Sequence, residues 1–311
     1  MFCQRRLETN VKNQLTDDMQ NSENPPLLLF VLPPLIWGST WYAITFQLGV
    51  VPPAFSVAYR FLLAGSIFVS FCLWRKISLK FTLRQHGLIF VQATLLFGIN
   101  YLLTYQAENY IASGLVAFLF SLMVFFNVLF AKLLLGDPIR HQILMAAVLG
   151  LAGTGLIFWP ELAATDAGGE TWLGIGICLS GVSCASLGNI ASAYNQRQKM
   201  PVVPTAAVGM LYGGILMLVI ALASGQPMRF EWSAGYVLSL LYLAVLGSIV
   251  TFSAYLTLLG KIGPDRSAYS LVLVPLIAIV ISTIFEGYRP TPSAIVGIVL
   301  VIVGNVYALK K

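Results

Sequence analysis

Residues 54–74 read AFSVAYRFLLAGSIFVSFCLW, and this run decides the fold class. It carries one charge, Arg60; Val51-Pro52-Pro53 precedes it and Arg75-Lys76 follows it. A hydrocarbon core about 30 Å thick needs about 20 apolar residues in an α-helix. In lipid, without water, a helix lets a segment satisfy its own backbone hydrogen bonds. The run therefore reads as a transmembrane helix. Nine more runs of this kind flank it, at about 27–47, 87–106, 113–135, 141–159, 172–193, 203–223, 235–259, 267–285 and 293–309. Turn-forming breaks separate them, among them Gly136-Asp137-Pro138, Thr165 to Glu170, Met200-Pro201 and Tyr288 to Pro292. The predicted fold is an all-α membrane protein with ten transmembrane helices.

Composition agrees. Of 311 residues 58% are hydrophobic and 10% charged, with mean hydropathy +0.83, whereas a soluble domain has roughly 25% charged residues. The polar surface is too small to cover a soluble core, which excludes an ordinary cytosolic enzyme, a disordered chain and a secreted disulfide scaffold. Cys3, Cys72, Cys178 and Cys184 form no Cys-x-x-Cys pair, and three lie in apolar runs, so they read as small buried hydrophobes. His86 and His141 fall at segment ends, and no metal or cofactor is predicted. Gly260-Lys261 lacks the spacing and hydroxyl of a phosphate-binding loop. Gly150 to Gly155 lies inside an apolar run and reads as close helix packing. An intramembrane enzyme would need paired carboxylates, a His/Asp set or a Ser-Lys pair at mid-depth, and none is visible. The loops are too short for a receptor domain. The chain is not expected to be an enzyme.

Charge sets the orientation. With the N-terminus in the cytoplasm, fifteen of the eighteen Lys and Arg fall on the cytoplasmic side; Arg229 and Arg289 fall outside and Arg60 within a span. Both termini are predicted to be cytoplasmic, and the net charge of +6 then needs no nucleic-acid partner. Residues 1–26 read as a disordered tail without a cleavable signal, with Met19 as an alternative start. The long outer break from Pro160 to Thr171 divides the chain into halves, 27–160 and 172–309. At an offset of 151, residues 109–158 and 260–309 share a pattern: polar connection, helix, Gly turn (Gly136, Gly287) and a helix with a late Gly (Gly153, Gly304). At an offset of 150, Tyr105 aligns with Tyr255 and Tyr101 with Thr251. Five helices per half make the second half enter the membrane from the opposite side, a recurring transporter design with a midplane site.

Several motifs then occur in order. Ile36-Trp37-Gly38-Ser39-Thr40 lies in helix one, followed by Pro52-Pro53 and Tyr59 to Gly65. Gly247-Ser248-Ile249 and Tyr255 lie in helix eight, Val274-Pro275 and Phe285-Glu286 in helix nine. Over residues 27–309 the chain resembles the drug/metabolite transporter superfamily, with two inverted five-helix EamA-type repeats. Trp41 to Val50 and Ser56 to Phe61 are similar to its riboflavin-importer branch. The resemblance implies a secondary transporter of a small organic metabolite in a bacterial-type inner membrane, working by alternating access as monomer or homodimer. Riboflavin uptake is one implied activity; amino-acid or drug export is the alternative.

The candidate site residues are polar groups in spans, which lipid drives inward. Arg60 lies about 10 Å inside helix two; it reads either as the group that binds a carboxylate, carbonyl or phosphate, or as a snorkelling Arg or a partner of Glu108 or Glu286. Tyr101, Tyr105 and Glu108 share a face of helix three, with Thr251 and Tyr255 on the matching face of helix eight. Asn100, Asn127 and Asn189 are amides deep in spans; Trp37 and Trp41 lie past the middle of helix one, and Tyr269 belongs to helix nine. Together these predict an aromatic cavity with a few hydrogen-bonding groups, suited to an aromatic or amphipathic solute. Glu108 and Glu286 would carry a coupling proton if buried. With no carboxylate at the membrane centre, facilitated or exchange transport is the expectation over proton coupling.

Overall fold

The computed structural model describes residues 27–111, 113–157, 159, 163, 168–285 and 291–309. The expected N-terminal tail, Gly287 and Glu286 lie outside them. The helices are α1 (Leu27–Thr45), α2 (Pro53–Trp74), α3 (Leu83–Ala107), α4 (113–135), α5 (His141–Ile157), α6 (Gly169–Arg197), α7 (Val202–Ala223), α8 (Ala234–Ile262), α9 (264–285) and α10 (Pro292–Leu309). By length and composition α1–α4 and α6–α8 are able to cross a membrane; α5 and α10 are shorter apolar helices, and a 3₁₀ turn interrupts α9. Local chemistry sets the ends. Pro53 opens α2, where its missing N–H costs nothing. Thr82 and Gln85 form a capping box on α3. Gly136, with φ of 74°, ends α4. Every helix leaves large apolar side chains exposed, such as Leu35, Phe71, Val91, Leu133, Met145, Leu173, Val219, Leu238, Ile284 and Val299. Such faces suit lipid, not water.

The two halves share their irregularities. A π-helical turn occupies Thr94–Ile99 in α3 and Val245–Val250 in α8. The α-helix of α4 breaks between Phe120 and Met123, and α9 turns 3₁₀ at Leu271–Leu273. Both pairs are related by an offset of 151. The alignment of Tyr105 with Tyr255 at an offset of 150 is thereby corrected: Tyr101 corresponds to Phe252 and Thr104 to Tyr255.

Helix packing repeats the exchange. α1 packs on α8 and α9; its counterpart α6 packs on α3 and α4. The tightest seams join each remaining helix to its own counterpart, α2 to α7 and α5 to α10. In the first seam a Cβ on Gly65 would stand 2.7 Å from Leu211 N, and one on Gly214 would stand 2.7 Å from Leu62 N. In the second, a Cβ on Gly153 would stand 2.6 Å from the Gly297 carbonyl oxygen, and one on Gly304 would stand 3.0 Å from that of Ala146. Contact numbers rise on one helix as they fall on the other, so each seam is antiparallel. A helix and its own counterpart thus run in opposite directions: the repeats are inverted. These glycines allow backbone contact that any Cβ would block.

Candidate functional site

Arg60 is 1% exposed, on the side of α2 that faces α8. Its Nε donates to Ser248 Oγ (3.1 Å) and its Nη2 to the Gly247 carbonyl (3.3 Å). The guanidinium lies 4.6 Å from the Tyr101 ring centre and 5.4 Å from that of Phe61, a cation–π arrangement. Both polar partners sit in the π turn of α8. That turn shifts backbone bonding to a five-residue spacing, and hydroxyls help satisfy its carbonyls: Ser248 donates to Leu243 O (2.9 Å) and Thr251 to Leu246 O (2.6 Å). The Gly247 carbonyl also accepts from Trp37 Nε1 at 3.2 Å. A Cβ there would meet Thr40 at 3.0 Å and Arg60 Nη2 at 3.3 Å, so this approach needs glycine. Arg60 neither snorkels outward nor pairs with Glu108. The ion pairs among the described residues lie elsewhere. The seam contacts relate α2 to α7 by an offset of 149, which makes Gly209 the counterpart of Arg60; a Cβ on it would touch the Phe97 ring at 3.1 Å. Phe97 is in turn the counterpart of Ser248. The charge thus breaks the symmetry of an otherwise repeated framework.

Arg60 opens onto a cavity of about 90 Å³ between the halves. Trp37, Trp41, Asn100, Tyr101, Asn189 and Tyr255 line it with Arg60, as do Thr40, Thr104, Phe120, Ser121 and Phe252. The rings interlock: Trp37 meets Phe252 and Tyr255 edge-on at 5.0 and 5.2 Å, and Trp41 meets Phe120 at 5.4 Å. Asn189 Nδ2 donates to the Tyr255 hydroxyl at 3.2 Å. Four buried polar atoms on lining residues have no partner among the described residues: donors Arg60 Nη1 and Trp41 Nε1, and acceptors Asn100 Oδ1 and Asn189 Oδ1. Buried polar atoms are ordinarily paired. Such atoms, beside a cage of rings, are able to exchange hydrogen bonds with a molecule held there.

Other predicted residues lie outside this cavity. Asn127 is fully engaged, donating to Pro264 O (2.9 Å) and accepting from Ser186 Oγ (2.5 Å); it ties α4, α6 and α9 together. Thr251 serves the π turn, and Tyr269 donates to Ala146 O at 3.1 Å, joining α9 to α5. Tyr105 is buried deeper along α3, and Glu108 caps the end of that helix. Sequence reasoning missed the other lining residues, among them the polar or aromatic Thr40, Thr104, Phe120, Ser121 and Phe252. Thr40 and Thr104 lie one turn from Trp37 and Asn100, and Phe252 is the counterpart of Tyr101; Ser121, at the break in α4, carries no sequence signal.

Contacts between the halves stand on both faces of the molecule. On the face formed by the loops after α2, α4, α6 and α8, Arg197 Nη2 meets both Asp137 oxygens at 2.7 Å. Arg140 Nε lies 3.7 Å from Asp265. These pairs line a cavity of about 960 Å³ open to that face. On the opposite face the contacts are neutral. Gln47 Nε2 donates to Tyr236 O (2.9 Å) and Ser239 Oγ (2.6 Å), and Ser56 Oγ and the Tyr236 hydroxyl are 3.1 Å apart.

Known proteins share this sequence and fold. The profile of the EamA-like transporter family matches residues 24–159 and 172–309. The chain is 25% identical over 282 residues to protein PagO of Salmonella typhimurium, covering 89% of this chain and 90% of that one. It is 26% identical over 254 residues to YedA of Escherichia coli, named an uncharacterized inner membrane transporter, covering 81% and 80%. It is 26% identical over 282 residues to the uncharacterized transporter YvbV of Bacillus subtilis, covering 89% and 88%. A crystal structure of another protein superposes with TM-score 0.73 at 18% identity over 91% of this chain and 95% of that one, a likeness of fold alone.

Proposed function

The chain belongs to the EamA-like transporter family, and on that premise we propose that it carries an aromatic or amphipathic organic solute across an inner membrane by alternating access, with both termini in the cytoplasm. One observation carries this reading: two unpaired donors and two unpaired acceptors belong to residues that, with a cage of rings, line one cavity between inverted halves. Arg60 Nη1 and Trp41 Nε1 offer hydrogen bonds to a carboxylate or carbonyl of the solute. Asn100 and Asn189 offer oxygens to its N–H or O–H groups, and Trp37, Tyr101 and Phe252 offer apolar area. At about 90 Å³ the cavity is far smaller than the 300–1,000 Å³ of an open ligand cleft. Loading therefore requires one half to rock away from the other, with α2–α7 and α5–α10 as the seams that stay closed. Riboflavin and aromatic amino acids both present the required groups.

Proteoliposomes test this with radiolabelled riboflavin, L-phenylalanine and L-threonine. Saturable flux of a ring-bearing solute is expected. Arg60→Gln and Trp41→Phe should raise KM, each about tenfold or more, since a hydrogen bond to a charged group contributes about 1.5–3 kcal/mol. Absence of flux for all three, or flux that neither substitution alters, refutes the site.

A further inference from the structure

Three buried polar atoms without a partner among the described residues follow one side of α3: Arg60 Nη1, over the Tyr101 ring, then the Tyr105 hydroxyl, then Glu108 Oε1. Tyr101, Tyr105 and Glu108 stand at i, i+4 and i+7 and share a helix face over about 10 Å. Tyr105 lies within electrostatic reach of both Arg60 and Glu108. Glu108 sits at the C-terminal end of α3, its N–H bonded to Thr104 O at 3.2 Å. There the helix dipole opposes a negative charge. Among the described residues the ionisable groups that face it are Tyr105 on its own helix and Cys178 on α6; neither offers a cation. Burial pushes its carboxyl up to about 8.

Building on the carrier reading above, we infer that Glu108 is a proton-binding site linked along Tyr105 to the solute site at Arg60, so that a proton and an anionic solute are bound together. The linkage is electrostatic. An ionised Glu108 repels an anion on Arg60; a protonated one does not. Over roughly 10 Å, at an effective dielectric constant of about 20, the interaction corresponds to a roughly tenfold change in affinity. Linkage is reciprocal, so a bound anion raises the affinity of Glu108 for its proton by the same factor. This departs from the expectation, based on the lack of a mid-membrane carboxylate, that transport is uncoupled.

The proton site is tested without any solute. Infrared titration of the full chain in nanodiscs should show a carboxyl band that ionises near pH 8 and is missing from Glu108→Gln. Arg60→Gln should raise its midpoint by about one pH unit. A Glu108 carboxylate already ionised at pH 6, or a midpoint indifferent to Arg60→Gln, overturns the inference. In proteoliposomes with the carboxylate-bearing solutes named above, L-phenylalanine and L-threonine, an inward proton gradient should accelerate uptake, and Glu108→Gln should remove that dependence. Flux that ignores the gradient overturns the coupling and leaves the carrier intact. If none of the solutes moves, the carrier assignment fails and the infrared midpoints still decide the linkage.

Discussion

Ser248→Ala removes the hydroxyl that receives Arg60 Nε at 3.1 Å and itself donates to Leu243 O at 2.9 Å. Arg60 would then keep one polar tie, the Gly247 carbonyl at 3.3 Å. The pair is worth about 1.5 kcal/mol, the lower end for bonds to charged groups. That exceeds the ~0.6 kcal/mol average for hydrogen bonds between membrane helices, because the guanidinium is 1% exposed and water does not compete for it. Loss of the hydroxyl bond to the Leu243 carbonyl is a second term. A double-mutant cycle separates the two terms. Ser248→Ala alone should raise the KM of the transported solute roughly tenfold. The same change in an Arg60→Gln background should do almost nothing. Stability in detergent, followed by chemical denaturation, should give a coupling energy of about 1–2 kcal/mol between the two sites. Additive effects, with coupling under about 0.3 kcal/mol, would show that the π turn does not position Arg60.

Gly214→Ala forces a methyl within 2.7 Å of Leu62 N and should cost about 1–3 kcal/mol, read as a lower thermal midpoint. Gly176→Ala, with nothing within 4 Å, should be neutral or slightly stabilising. Asp137→Asn breaks the bidentate pair with Arg197, whose side chains are 31% and 46% exposed, so stability should change by less than about 1 kcal/mol. Alkylation of a cysteine placed at Ala193, which lines the adjoining cavity, should instead speed up several-fold in a cysteine-free background. High salt should speed it in the parent and leave the variant unchanged. Stability should also depend on pH through Glu108: its folded pKa, about 8, exceeds the ordinary value of 4.5, so the native state holds the extra proton. The stabilisation is complete below about pH 4.5 and declines as pH rises through 8. Glu108→Gln should flatten that decline, and a profile unchanged by the substitution would rule Glu108 out as its source.

The sequence revealed spans, halves and the inverted plan because bilayer thickness, lipid-facing apolarity and loop charge act on whole segments. It also picked out Trp37, Trp41, Arg60, Asn100, Tyr101, Asn189 and Tyr255, since polar and aromatic groups inside a span are driven inward. Which inward group reaches the cavity was not legible. Asn127 and Asn189 are equally polar amides at similar depth, yet one is consumed by Ser186 and Pro264 while the other keeps a free oxygen. Helix rotation and the neighbouring helix make that difference, and neither is written in the local pattern. The partners of Arg60 were hidden for a related reason. Gly247 and Ser248 are present as a motif, but only a π turn aims both at α2, and no Pro or Gly pair announces such a turn.

The irregular backbone is distributed unequally. The π turns lie in α3, in α8 and at the end of α4, and the broken turns in α4 and α9, while the other six helices run without interruption over the described residues. Four of the unbroken helices, α2, α5, α7 and α10, are pressed glycine to backbone against their own counterparts. In the alternating access proposed above, rigid struts fixed in antiparallel pairs would serve as a bearing, rolling against each other and resisting being pulled apart. The helices that carry weak turns would hang from that bearing and bend where their bonding has already slackened, turning a small roll at the spine into a wide swing at the mouth.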